Sequence, residues 1–257
     1  MIDNLGGING SLLRSVTRAQ SATGSSLAKI ASGNRLTTAG EDPAANAISE
    51  QLRSDVAALS QSVNNVQAGA DFVSTADGGL STISDLITRG RELSTQAANG
   101  TLNDAQRQSL NQEFNSVRAE IDRITNSVEF NGQPLLNGDL GAKSQKQVNI
   151  QAGSGSGPEN QINLNVIENT GSKSLGIDHL DIYTAQGAGQ AMSALATAGN
   201  TVSATRGQVG AIGNRLSVAA RNLGNTIENL SSAQSQLTGT DIAAEITKLQ
   251  QSTSQTQ

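Results

Sequence analysis

Apolar residues recur at steps of three and four along most of the chain, a spacing that places them on one face of an α-helix. A first, weakly patterned helix is predicted from Leu13 to about Ser32. Asp42 and Pro43 predict the start of a second helix, because Asp caps free N–H groups and Pro fits the first helical turn. This helix is expected to end near Gly100. Its apolar stripe comprises Leu52, Val56, Leu59, Val63, Val66, Ala70, Val73, Ala76, Leu80, Ile83 and Ile87.

Two further helices follow the same period. Asn103 is a candidate N-cap, with Gln106 placed to reach back to it, and the short connection predicts that the second and third helices pack antiparallel. The third stripe comprises Leu110, Phe114, Val117, Ile121, Ile124 and Val128. The period returns from Ala185 to Gly239, with a stripe of Val209, Ile212, Leu216, Ala219, Leu223, Ile227, Leu230 and Leu237.

The C-terminal stretch predicts a last turn or two of helix through Ile242, Ile246 and Leu249, before a polar tail, Gln250–Gln257.

Between the third and fourth helices the period changes to two. Residues 147–151 and 161–166 alternate polar with apolar, and the Gly/Ser-rich run from Gly153 to Pro158 separates them, so a β-hairpin is predicted. A further short extended run is expected from His179 to Tyr183.

These elements predict a mainly α fold, namely an elongated antiparallel coiled-coil helical bundle formed by the N- and C-terminal segments, with a small β-hairpin insert. Five segments are expected: an N-terminal helical segment (1–41), two helices (42–138), a β-hairpin region (139–184), a C-terminal helix (185–239) and a short C-terminal segment (240–257). Most of the apolar stripes are expected to be intramolecular core.

Composition narrows the possible partners. With 17 Lys plus Arg against 22 Asp plus Glu, the net charge of −5 disfavours nucleic acid as a partner. No stretch is long and apolar enough to predict membrane insertion, and the N-terminus lacks the pattern of an ordinary secretory signal. The chain has no cysteine, which excludes disulfides and thiolate chemistry. Scarce aromatics favour packed helices over a ligand pocket.

Candidate catalytic chemistry is sparse. His179 is the only histidine, so a Ser-His-Asp arrangement would need it, with Asp178 or Asp181; a surface position is the better interpretation. The Gly153–Gly157 run lacks the Lys-Ser/Thr of a phosphate loop and does not open a helix. We therefore predict no enzyme, no metal site and no cofactor.

Three blocks of the sequence resemble bacterial flagellin and together cover nearly the whole chain. The first block is Ile30-Ala-Ser-Gly-Asn-Arg-Leu with Glu41-Asp-Pro-Ala-Ala-Asn-Ala-Ile. The second joins Arg91-Glu-Leu-Ser-Thr-Gln-Ala-Ala-Asn-Gly-Thr to Glu120-Ile-Asp-Arg-Ile and Glu129-Phe-Asn-Gly-Gln-Pro-Leu-Leu. The third is Arg206-Gly-Gln-Val-Gly-Ala-Ile-Gly-Asn-Arg-Leu, then Asn229-Leu-Ser-Ser-Ala and Thr240-Asp-Ile-Ala-Ala-Glu.

The resemblance implies a secreted structural subunit that polymerises into the extracellular flagellar filament for swimming motility, with ends that fold only on assembly. Implied partners are other copies of the chain, an export chaperone, and hook-associated and cap proteins. The residues expected to contact neighbouring subunits are Arg35, Asp42, Asn214 and Arg215.

The resemblance also implies a candidate surface for a vertebrate innate immune receptor, at Arg89, Leu93 and Glu113. Gly90 departs from the family pattern, which more often has a branched apolar residue there. Filament contacts or helix pairing are an equally good interpretation of these residues.

Two departures and several alternatives remain open. The start, with Gly6 and Gly7, lacks the family's usual opening, and the chain stops before the family's usual C-terminal segment, so either a truncated chain or an unusual subunit is expected. A hook–filament junction protein or minor filament component is the first alternative, since it shares the terminal helical pattern. A surface adhesin fits less well, and a flagellin-derived enzyme would need an inserted catalytic domain.

Overall fold

The computed structural model describes residues 2–255, and the side chains of residues 10 and 12–255. Within this range the fold is mainly α, as predicted. Its helices are α1 (Ile2–Ser32), α2 (Pro43–Ala97), α3 (Asp104–Ser127), α4 (Ala185–Thr238) and α5 (Ile242–Ser254). Its strands are β1 (Glu129–Phe130), β2 (Gln133–Pro134), β3 (Asn149–Gln151) and β4 (Gln161–Asn163). None of the described helices combines the length and apolarity needed to cross a membrane.

Contacts along the chain define two compact units, which we describe separately. Unit 1 comprises Met1–Ala58 and Asn225–Gln257, and unit 2 comprises Leu59–Gly224. The division of the chain into five sequence segments stays a prediction.

Unit 2 is built on three antiparallel helical stretches. Gly90 of α2 lies against Phe114 of α3, whereas Gly79 lies against Val128 just beyond the end of α3. The contacts of α2 with α4 also run in opposite directions, from Gly69 near Leu216 to Gly90 near Leu195. Residues of the predicted stripes form this core, with Leu80, Ile83, Phe114, Ile121 and Leu216 fully buried.

Local sequence signals explain where the helices of unit 2 begin and end. The Asn103 side chain accepts a hydrogen bond from Gln106 N at 2.9 Å, and the Gln106 side chain accepts one from Asn103 N at 3.0 Å, which confirms the predicted capping box. α2 ends at Ala97, a few residues before Gly100. The Arg107 guanidinium donates to the carbonyl of Ala97 and thereby satisfies an acceptor at this helix end.

The predicted hairpin is present as the antiparallel pair β3–β4, with Ile150 opposite Ile162. It packs on α2, because Ser62 Oγ donates to the Gly153 carbonyl at 3.2 Å and Ile150 lies over Gly69.

A second hairpin, β1–β2, was not predicted. Its turn is Asn131-Gly132, with φ of 52° and 74°, and such a pair is the usual sequence of a two-residue turn with left-handed backbone. Two-residue strands are too short to show a period, so the Asn-Gly pair was the only available signal.

Two other expectations were wrong. Residues 179–183 form no strand, because α3 side chains rather than a neighbouring strand bind the backbone of this segment. The C-terminal helix is longer than one or two turns, since α5 continues through the expected polar tail to Ser254. Ser252 is buried against α1, which explains why polar residues are helical there.

Candidate assembly surfaces

The helices α1 and α5 of unit 1 meet through small and polar side chains. Thr23 Oγ1 donates to Ser252 Oγ at 3.0 Å, and Ser26 Oγ donates to Glu245 Oε1 at 2.8 Å. Ala19, Ser26, Glu245 and Ser252 are all buried. We call these contacts the polar seam of unit 1.

Glu245 is a buried carboxylate held by hydrogen bonds from both helices. Besides Ser26, Lys248 Nζ lies 3.1 Å from Glu245 Oε2. The hydrogen bond from Ser26, followed by that from Lys248, lowers the pKa of Glu245, because each favours the charged form. The carboxylate therefore stays ionised in the seam at neutral pH.

Arg35, in the turn that follows α1, binds the end of α4 just before α5. Its backbone N–H donates to Thr238 O at 2.6 Å, and its Nη2 donates to Leu237 O at 3.0 Å. Gly33, with φ of 68°, supplies the left-handed conformation that ends α1, and its carbonyl accepts from Thr240 N. Arg35 thus has an intramolecular role; a contact with a neighbouring subunit stays a prediction.

Asp42 caps α2, since its Oδ1 accepts a hydrogen bond from Ala45 N at 3.0 Å. The adjacent Glu41 pairs with Lys29 of α1 at 2.8 Å and accepts from Thr37 N at 2.8 Å. The Lys29 hydrogen bond, followed by that from Thr37, lowers the pKa of Glu41 to about 2. These contacts tie the turn between α1 and α2 to α1.

Large apolar side chains of unit 1 face solvent. Leu13 is 71% exposed and Leu27 is 58% exposed, whereas the polar seam beside them is buried. We define the apolar outer face of unit 1 as the following exposed side chains: Leu12, Leu13, Leu27, Ile48, Ile242 and Ile246. A helix in a soluble monomer normally buries its apolar side, so this arrangement indicates a surface that another molecule covers.

Asn214 and Arg215 lie together on the exposed side of α4 in unit 2. They line a shallow groove whose apolar wall is formed by Ile162 of β4 and by Val218 and Ala219 of α4. Arg215 makes no ion pair or hydrogen bond with its side chain within the described residues. The two predicted contact residues therefore share one surface.

The candidate receptor residues separate into surface and core. Arg89 donates from Nε to Glu113 Oε1 at 2.9 Å, and its Nη1 donates to Glu92 at 3.1 Å. The hydrogen bond to Glu113 raises the pKa of Arg89 above its usual value. Leu93 is only 1% exposed, so it belongs to the core and is unavailable for direct contact with a partner in this conformation.

A row of polar side chains on α3 was missed at the sequence level. Asn111 Oδ1 accepts from Ile182 N at 2.8 Å, Arg118 donates to the carbonyls of residues 177, 178 and 180, and Asp122 accepts from Ser172 N and Oγ, each at 2.7 Å. Spacings of seven and four place them on one helix face. The spacing could have indicated a polar face on α3, although the residues that this face binds lie about 50 to 70 positions further along the chain.

Taken together, long helices, a polar seam and an apolar outer face define a helical structural protein with surfaces for assembly. Residues 7–140 match the bacterial flagellin N-terminal helical region, and residues 192–257 match the bacterial flagellin C-terminal helical region. The chain therefore belongs to the bacterial flagellins, a structural family whose members form the extracellular flagellar filament.

Curated relatives agree over most of the chain. The flagellar filament 30.7 kDa core protein of Treponema maltophilum is 33% identical over 226 residues, covering 85% of this chain and 79% of the relative. A flagellin of Bacillus subtilis is 33% identical over 255 residues, and the match covers 89% of this chain and 84% of the relative.

Solved structures are also similar. The crystal structure of Bacillus cereus flagellin is 30% identical with a TM-score of 0.54, and the match covers 62% of this chain and 88% of that one. A putative flagellar hook-associated protein of Vibrio parahaemolyticus has a TM-score of 0.64 at 16% identity, and the match covers 77% of this chain and 100% of that one. At this identity the similarity shows a shared fold alone. The chain is thus a structural subunit of the flagellar filament, and the hook-associated alternative is not better supported.

Proposed function

We propose that the chain enters the filament through the apolar outer face of unit 1, which neighbouring copies cover. The observation that carries this proposal is that α1 and α5 bury polar side chains between them and expose apolar ones. Ser26 and Glu245 are buried, whereas Leu27 and Ile246 face solvent. Burying a large aliphatic side chain contributes roughly 1.5–3 kcal/mol, so several such residues are enough to drive association. The helical pair gains this stabilisation only in the polymer.

Arg35, Asp42, Asn214 and Arg215 are proposed to support the same assembly in two ways. Arg35 and Asp42 hold the turn between α1 and α2, so they fix the shape of the surface that a neighbour meets. Asn214 and Arg215 present unpaired polar groups beside exposed Val218, an arrangement suited to direct contact.

Other partners follow from the same surface. An exposed apolar face risks premature association, so an export chaperone covers it before assembly in this proposal. Hook-associated and cap proteins would meet it at the filament ends. We infer a structural and non-catalytic role, which the family supports.

An innate immune receptor remains a candidate partner for Arg89 and Glu113, which are about half exposed. Because these two side chains already pair with each other, a receptor would have to recognise the pair or break it. A receptor-signalling assay on dissociated protein, with Arg89→Ala as the comparison, tests this proposal. A silent unmodified subunit would refute it.

Assembly of purified protein tests the main proposal. The chain would be polymerised in ammonium sulfate, which favours apolar burial, and scored by negative-stain electron microscopy. Leu27→Gln is expected to raise the critical concentration by about tenfold, because it removes one apolar contact between subunits. Leu27→Met is the matched control and should assemble like the parent chain. Equal assembly of Leu27→Gln would contradict the proposal.

A further inference from the structure

Unit 2 buries its apolar residues well, with two exceptions. Among its described side chains, the large hydrophobic residues with high exposure are Tyr183, at 49%, and Val218, at 47%. Val218 lines the groove that also contains Ile162 and Arg215. Tyr183 is the only tyrosine in the chain and precedes α4.

The two exceptions lie far apart, since Tyr183 comes just before α4 and Val218 is in its second half. At about 1.5 Å per residue, Val218 is about 50 Å along α4 from its first residue, Ala185. Two parallel copies placed side by side and offset by about 50 Å along this helix would bring Tyr183 of one copy level with the groove of the next. Two different surfaces that meet in this way form a heterologous contact, and such contacts generate open polymers when the rotation does not close a ring.

The backbone that carries Tyr183 is held in place by contacts within the subunit. The adjacent Ile182 is fully buried, and its N–H donates to Asn111 Oδ1 at 2.8 Å. Arg118 of α3 binds the carbonyls of the preceding residues, including Leu180 at 3.0 Å. Asp181 Oδ1 accepts from Tyr183 N at 3.3 Å. The backbone at Tyr183 is therefore already ordered, which reduces the conformational entropy lost on binding.

The chemistry of the two surfaces is complementary. Tyr183 offers an apolar ring beside the carboxylate of Asp181, and the groove offers Ile162, Val218 and Ala219 beside the guanidinium of Arg215. Arg215 has no partner of its own among the described residues. Tyrosine and arginine are also the residue types that most often dominate the energetics of protein interfaces.

We propose that Tyr183 of one subunit inserts into the groove at Val218 of the next, while Asp181 pairs with Arg215 across the contact. This inference rests on the proposed filament function and names one of its head-to-tail contacts. The partner is a second copy of this chain in parallel orientation, repeated about 50 Å along α4.

Engineered cysteines test the contact directly, because the natural chain has none. Filaments of the double variant Tyr183→Cys/Val218→Cys would be assembled under reducing conditions, oxidised and run on a non-reducing gel. A ladder of covalent multimers is expected. Tyr183→Cys/Ser203→Cys, with the second cysteine elsewhere on the exposed side of α4, should remain monomeric. Monomers from both variants, or dimers alone from the first, which indicate a closed antiparallel pair, would overturn the proposal.

Charge reversal supplies an independent readout that leaves Tyr183 intact. Arg215→Asp and Asp181→Arg are each expected to slow elongation of sheared filament fragments by about tenfold or more, since each places like charges opposite each other. The double variant should recover to within about threefold of the parent chain. Arg221→Asp, an exposed α4 arginine outside the groove, is the matched control. A double variant no better than the slower single variant would contradict the pairing.

These outcomes separate the two proposals. If the unmodified chain forms no filaments, the proposed function fails and the contact fails with it. If filaments form without the cross-link or the charge rescue, only the head-to-tail contact at Tyr183 is wrong.

Discussion

Unit 1 and unit 2 are both helical, but they differ in which side chains their helices bury. Unit 2 buries leucine, isoleucine and phenylalanine between its helices and leaves Tyr183 and Val218 exposed. Among the described side chains of unit 1, the fully buried hydrophobic residues are alanines, Ala19 and Ala45. Its large hydrophobic side chains are partly buried or, like Leu13 and Leu27, exposed. The difference indicates that unit 2 is stabilised by its own core, whereas unit 1 needs neighbouring subunits to bury its apolar side.

Matched leucine truncations should show this contrast most strongly. Leu80→Ala removes a fully buried side chain of unit 2 and is expected to lower the free energy of unfolding by about 2–5 kcal/mol, through lost burial and a cavity. Leu27→Ala, in unit 1, should change it by less than about 0.5 kcal/mol in the monomer. Urea denaturation measures both. Equal losses would contradict the comparison.

Adjacent glycines of α2 sharpen the description of the unit 2 core. A Cβ at Gly79 would lie 2.8 Å from Leu136 Cδ1 and 3.0 Å from Val128 Cγ2, so Gly79→Ala should destabilise by about 1–3 kcal/mol. Gly78 has open space around it, and Gly78→Ala should stabilise by about 0.5–1 kcal/mol through better helix propensity. The thermal unfolding temperatures of the two variants should move in opposite directions. A Gly79→Ala variant as stable as the parent chain, or more stable, would contradict tight packing at Gly79.

Helix caps offer a smaller and more local test. The side chains of Asn103 and Asp241 accept hydrogen bonds from backbone N–H groups in the first turns of α3 and α5. Replacing either residue by Ala should lower the free energy of unfolding by about 1 kcal/mol. α5 has 13 residues and is marginal alone, so Asp241→Ala should reduce helix content in unit 1, whereas α3 should remain folded on its core. Amide hydrogen exchange resolves the two helices. Asn103→Ser and Asp241→Ser, which retain caps, are the controls.

Acid should loosen the polar seam of unit 1. The pKa of Glu41 is lowered from 4.5 to about 2 in the folded state, and that of Glu245 is lowered below 4.5. The stabilisation from each carboxylate is therefore present above pH 4.5 and is lost as pH falls from 4.5 through its folded-state pKa. Protection of α5 amides in assembled filaments should decrease over that range.

Substitution of the seam carboxylate tests the cause. Glu245→Gln should lower protection at neutral pH and flatten the acid response, because the uncharged amide cannot lose its charge on acidification. Glu228→Gln, at an exposed carboxylate of unit 1, should leave the response unchanged. An unaltered acid response in Glu245→Gln would exclude the seam as its source.

Some features were readable from the order of residues because they depend on neighbours in sequence. The three-and-four period predicted the long helices, the Asn103 and Gln106 pair predicted a capping box, and the alternation around Ile150 and Ile162 predicted a hairpin. The flagellin blocks indicated the family, which the comparisons confirm.

Other features depended on residues far apart in the chain. Periodicity identifies an apolar stripe but does not say whether the stripe faces inward, and so it could not reveal that Leu27 is exposed while Ser26 is buried. Nor could it place Leu93 in the core, or bring Asn111 and Arg118 to the backbone of residues 177–182. The sequence by itself determined the helices and the family, because local hydrogen bonding and side-chain period depend on near neighbours. Only the tertiary structure decided which faces were left for assembly, because burial depends on packing between distant segments.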